Sequence, residues 1–212
     1  MKRPWLAAVA AAFAVAACSN AEVQAPAETA STTLSLSTAI IRSPDGSLSV
    51  VYGGEADPTL VLSAGFLRRS PVGEVAVPSR LSWSPNSRGF YVNDSGSASW
   101  STFRLWSANA RAQAIESTGI REEAIAELGR LNGCDSVPGA DATTHGMGWS
   151  PDGSRVYVLA QSRRQTGECI WKDVDYIVVV ADVESGQVVE IEQGEEARRR
   201  WPTLPWAPVT TP

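Results

Sequence analysis

The chain has 212 residues, 43% hydrophobic and 19% charged, with 18 basic against 23 acidic side chains and one histidine. That is a globular composition, long enough for one domain with a substantial core. The net charge of −5 argues against nucleic acid and against an anionic membrane surface as partners, because both repel an acidic protein.

The first element is a leader. Lys2 and Arg3 precede an apolar run from Trp5 to Ala17, which closes on Val15-Ala16-Ala17-Cys18. Thirteen apolar residues span roughly 20 Å as a helix, short of a ~30 Å bilayer core, so the run reads as a signal peptide over 1–17. The small-small-Cys ending resembles the bacterial lipobox. The resemblance implies that Cys18 is lipidated and becomes the mature N-terminus; ordinary cleavage after Ala14-Val15-Ala16 is the other fit. Without Lys2 and Arg3 the mature chain has 16 basic and 23 acidic residues, a net charge of −7. Lipid then supplies the only expected membrane contact. Ser19, rather than Asp, follows the cysteine, which leans towards the outer membrane over the inner. Residues 18–32 are small and polar and predict a flexible tether, with the folded part, 33–206, beginning near Leu34 and a short tail at 207–212.

Strand-like segments follow: Leu48–Tyr52, Gly89–Val92, Phe103–Trp106, Arg155–Leu159, Tyr176–Val180 and Gln187–Ile191. Ile177–Val180 has no polar alternation and predicts a central strand covered on both faces. One stretch is helical: Ile120, Ala124, Ile125, Leu128 and Leu131 recur at helical spacing, with Thr118 as N-cap and Gly133 as terminator. The fold class expected is therefore all-β with one inserted α-helix.

Three segments share a signature: Ile41-Arg-Ser-Pro-Asp-Gly, Ser82-Trp-Ser-Pro-Asn-Ser and Gly148-Trp-Ser-Pro-Asp-Gly, each with a strand after it. Pro44, Pro85 and Pro151 fix the first corner of a turn, Asp45, Asn86 and Asp152 bond nearby backbone, and Gly46 and Gly153 accept a positive φ. Trp83 and Trp149 precede their turns and are expected to pack between sheets. These residues resemble the TolB-like β-propeller repeat. The resemblance covers about Leu34 to Ile191 and implies antiparallel blades. The prolines are 41 and then 66 residues apart; removing 116–140, which holds the helix, restores 41. The helix thus reads as an insertion between blades two and three, and 162–174 as a second, within blade three. Three blades do not close a ring. A hidden fourth blade, a ring shared between two chains and an open fragment all remain open, with Trp201–Trp206 as a cap on the last blade.

Chemistry is sparse. His145 is the single histidine and no G-x-S-x-G sequence accompanies it, so it reads as structural. Asp45 and Asp152 read as turn caps. No calcium loop, phosphate loop or metal-ligand spacing occurs, and no cofactor is expected. Glu195-Glu196 and Arg198-Arg199-Arg200 read as a solvated charge run. Trp100, Trp171 and Trp206 fall in loop-like or terminal contexts, where Trp favours partner contact. Cys134 and Cys169 are expected to form a disulfide in an oxidising compartment, on the end of the blades opposite the turns, with two buried thiols as the alternative. That end, with Trp171, Arg163 and Arg164, is the expected partner-binding face. The chain reads as a non-catalytic envelope lipoprotein that binds or scaffolds another envelope protein. An inhibitor or immunity-type lipoprotein, with 162–174 as its plug, and a small glycan or peptide hydrolase are the alternatives.

Overall fold

The structure is a computed structural model that describes residues 31–35, 37–53, 58–97, 100–134, 142–162 and 174–206. Its order is β1 (Ser31–Leu34), β2 (Ala39–Arg42), β3 (Ser49–Gly53), β4 (Thr59–Ala64), β5 (Arg68–Glu74), β6 (Ser79–Trp83), β7 (Gly89–Ser97), β8 (Trp100–Ala108) and β9 (Ala114–Ser117). Then come α1 (Gly119–Leu131), β10 (Ala142–Trp149), β11 (Arg155–Ser162), β12 (Tyr176–Asp182), β13 (Val188–Gln193) and α2 (Gly194–Arg200). The strands make three antiparallel sheets, ordered β2-β3-β4-β5, β1-β6-β7-β8-β9 and β10-β11-β12-β13. These are three propeller-like blades. The tether prediction ends too late: residues 31 and 32 belong to β1, which adds a fifth strand to blade two by pairing with β6.

Each Ser-Pro-Asx turn is built alike, because its residues supply their own acceptors. Ser43, Ser84 and Ser150 donate from Oγ to Asp45, Asn86 and Asp152 at 2.7, 2.8 and 2.5 Å. The same hydroxyls accept from the backbone N–H of Leu48, Gly89 and Arg155. The Asx oxygens accept from Ser47, Arg88 and Ser154 N–H. The next residue is left-handed each time: Gly46 (φ 72°), Ser87 (φ 62°) and Gly153 (φ 71°). A side chain in that region costs about 1–2 kcal/mol. Gly46 has open space around it, whereas a Cβ on Gly153 would lie 2.8 Å from Asn86 N in the neighbouring turn. Gly46→Ala is expected to cost about 1–2 kcal/mol, and Gly153→Ala clearly more. Urea denaturation of the two variants checks the order.

The blades lock together through repeated contacts. Trp83 Nε1 donates to Ile41 O at 3.3 Å, and Trp149 Nε1 to Ser82 Oγ at 3.0 Å. Each tryptophan thus reaches the position two residues before the serine of the preceding repeat. Blades one and two close around Val50, Tyr52, Leu60, Leu62, Trp83, Phe90 and Trp106. Blades two and three close around Tyr91, Phe103, Trp149, Val156, Val158 and Val179, and α1 completes this core with Ile120, Ala124, Ile125 and Leu128.

The helix spans its predicted residues but not with the predicted cap. Thr118 is itself near-helical (φ −82°, ψ −28°) and makes no side-chain cap bond. Its C-terminus does close at Gly133 (φ 69°): Gly133 N–H bonds Arg130 O and Cys134 N–H bonds Gly129 O, the paired arrangement that a left-handed glycine permits.

Ile177–Val180 is buried on both faces, as predicted. Ile177 and Val179 face α1 and blade two. Val178 and Val180 face the other way, where Ala197, Trp201 and Leu204 cover them. A second helix, not the single one expected, is the physical reason: Gly194–Arg200 forms α2, which lays Ala197 on blade three. The Trp201–Trp206 segment caps the last blade as expected, and it occupies the face against which a next blade would pack. Among the described residues there is no fourth sheet.

Candidate functional site

Antiparallel order fixes two ends. The β2–β3, β6–β7 and β10–β11 turns share one end, with the β4–β5, β8–β9 and β12–β13 connections. The predicted turn residues Pro44, Asp45, Gly46, Pro85, Asn86, Pro151, Asp152 and Gly153 are all brought together here. Asp45 N–H donates to Ser87 Oγ at 3.1 Å, joining the first two turns.

Sequence reasoning missed a cleft of about 620 Å³ on this end. Asp45, Asn86, Arg88, Asn109, Ile115 and Glu184 are among its lining residues. No local pattern announces it, because three blades contribute. The aspartates of this end are held by their own turns. Asp45 is held at about 2 by hydrogen bonds from Ser47 N–H and then the Ser43 and Ser47 hydroxyls. The Ser150 hydroxyl lowers Asp152, and Ser185 N–H lowers Asp182. The unfolded chain, with ordinary carboxylates near ~3.9, takes up protons first as pH falls. Stability is therefore full above about pH 4 and is lost as pH drops towards about 2. Asp45→Asn, which copies Asn86 of the second turn, is expected to fold and to lose less stability across that window. Melting curves between pH 4 and pH 2 check it; an unchanged acid slope contradicts it.

The second polar cluster lies between blades two and three. Asn93 Oδ1 accepts from Gly146 N–H at 2.7 Å and Asn93 Nδ2 donates to Gly146 O at 2.9 Å, which fixes the amide's orientation. The same Nδ2 lies 3.2 Å from His145 Nε2, so that nitrogen is the acceptor. The proton therefore sits on Nδ1, 3.1 Å from Ser101 Oγ, and is donated to the hydroxyl. A histidine so held is oriented away from acting as a base for Ser101. Burial, then Arg80, pushes its pKa down to about 4, so it is neutral at neutral pH.

The charge run is not simply solvated. In α2, Arg200 pairs with Glu190 and with Glu192 (2.8 Å), and Arg199 with Glu196 (3.1 Å). Arg198 lies over the rings of Tyr176 and Trp206, at 5.5 and 5.4 Å. Trp206 donates to Trp201 O and packs beside Tyr176, and Trp100 opens β8 instead of a loop.

At the opposite end, Asn132 ties the close of α1 to blade three. Its Nδ2 donates to Leu128 O and Val174 O, and its Oδ1 accepts from Val174 N–H. Cys134 follows directly. Cys18, Cys169, Arg163, Arg164 and Trp171 lie outside the described residues.

No family model matches the sequence, and no curated protein matches it. Among solved structures, the chain is similar to a Pyrococcus horikoshii acylaminoacyl peptidase at 14% identity and a TM-score of 0.38. The match covers 74% of this chain and 25% of that one. The chain thus spans a quarter of that protein's length.

Proposed function

We propose that this chain is a lipid-anchored, non-catalytic module of the bacterial envelope, at the outer membrane, whose TolB-like repeats build a scaffold for another envelope protein. The observation that carries the reading is how the reactive groups are used. The described histidine is kept neutral by burial and oriented by Asn93, and the turn carboxylates accept hydrogen bonds from their own turns. Binding, not proton transfer, suits such groups. The partner meets the end opposite the turns, where Asn132 holds the end of α1 against Val174. A Cys134–Cys169 disulfide would fix that end further.

Crosslinking in intact envelopes, followed by affinity capture, tests this. Wild type is expected to capture a defined envelope protein, and Asp45→Asn to capture it equally. A variant with Trp171→Ala, Arg163→Ala and Arg164→Ala is expected to lose it. Capture unaffected by the triple variant, or loss through Asp45→Asn alone, contradicts the assignment of the face.

A further inference from the structure

The β4–β5 hairpin ends in Gly65-Phe66-Leu67, with Gly65 left-handed (φ 64°) and its carbonyl accepting from Ser63 Oγ at 2.9 Å. Phe66 is 91% and Leu67 92% exposed, well above Ile40, Ile115 and Val189, the other exposed large hydrophobics among the described residues. Arg68 and Arg69 follow, both exposed. Two neighbouring apolar side chains at a convex apex, collared by cations, form no groove and cover nothing.

Charge is unevenly spread over this end. Arg42, Arg68, Arg69, Arg88 and Arg111, all exposed, belong to blades one and two, where Asp45 is the acidic turn residue. None of the five makes an ion pair among the described residues. Blade three carries Asp152, Asp182 and Glu184 instead, against Arg155. The net charge of the whole domain therefore misleads. Screening over roughly 8–10 Å lets a surface feel the blade that touches it and little of the far one.

The chain's entry points the same way. Ser31 pairs with Ser82, beside the second turn, so β1 begins at the turn end. Twelve residues separate Cys18 from Ser31, and the span between the two is at most about 45 Å when extended. On the lipoprotein reading, the anchor thus holds this end within reach of the bilayer.

We propose that the Phe66-Leu67 tip, with Arg68 and Arg69, docks blade one onto a phospholipid surface bearing anionic headgroups. The apolar pair enters the headgroup boundary and the guanidinium groups meet the phosphates. Acidic blade three tilts away, and the end bearing Cys134 faces the aqueous side, open to a protein partner. The lipid anchor and the tip act as two signals, each weak alone.

The test uses the mature chain, residues 18–212, with Cys18→Ser, so that no acyl chain contributes. It is sedimented with vesicles of phosphatidylcholine, or of phosphatidylcholine with about a third phosphatidylglycerol. Binding is expected to the anionic vesicles at low salt, weaker to the neutral ones and weaker as salt rises. Phe66→Ser with Leu67→Ser is expected to lower partitioning tenfold or more, and Arg68→Gln with Arg69→Gln to remove most of the salt dependence. Melting temperatures stay unchanged, since the tip packs on nothing. Absence of binding to anionic vesicles at low salt overturns the proposal, as does binding that survives the Phe66 and Leu67 changes. Self-association of the protein that those changes abolish also overturns it, by making the tip a contact between copies. Failure of Cys18 lipidation in cells would leave this vesicle result standing, so the two readings fail separately.

Discussion

Trp149→Ala is expected to cost about 3–5 kcal/mol. The side chain is fully buried, its ring centroid lies 5.1 Å from that of Tyr91, and its Nε1–H is spent on Ser82. Truncation opens a cavity where blade two, blade three and α1 meet, and it removes one hydrogen bond to the Ser82 hydroxyl. Against a typical total of about 5–15 kcal/mol, the variant is at the edge of folding. Trp149→Phe, which keeps most of the ring and loses the N–H, is expected to cost about 1–3 kcal/mol. Urea denaturation of both separates packing from hydrogen bonding. A cost under about 1 kcal/mol for the alanine variant would show that the repeat's tryptophan does not hold the blades.

Asn93→Ala is the second large effect, about 2–4 kcal/mol. It leaves Gly146 N–H and C=O, both buried, without their partner, and it releases His145 Nε2. Ser101→Ala removes only one acceptor from Nδ1 and is expected to cost under about 1 kcal/mol. The order of the two discriminates: a larger loss at Ser101 than at Asn93 would mean that the serine–histidine contact, not the asparagine bridge, organises the cluster.

The parts of the fold legible in the sequence are those encoded locally. Serine, proline and Asx at fixed offsets build the turn within six residues, so all three turns were predictable. The α1 stripe and Gly133 are likewise local. What depended on distant pairing was hidden. Strand β1 joins blade two across more than forty residues of chain, and nothing in Ser31–Leu34 distinguishes it from tether. Strands β4 and β5 were not anticipated, and with them the exposed Phe66-Leu67 apex, because hydrophobicity does not say which residues a turn leaves uncovered. Helix α2 was obscured by its charges, which are satisfied by Glu190 and Glu192 on the adjoining strand and by its own turns. The cleft and the Asn93–His145–Ser101 cluster assemble from different blades, and neither leaves a spacing to find.

The measurement that bears most directly on the whole assignment is the chemical state of Cys18. Cells labelled with palmitate are expected to yield a labelled mature protein beginning at Cys18, retained on membranes through a high-salt wash. Cys18→Ser is expected to be unlabelled and released by that wash, which also strips contact made through the arginines. An unlabelled wild type, a mature N-terminus other than Cys18, or retention of the serine variant after washing would contradict a lipid-anchored envelope module.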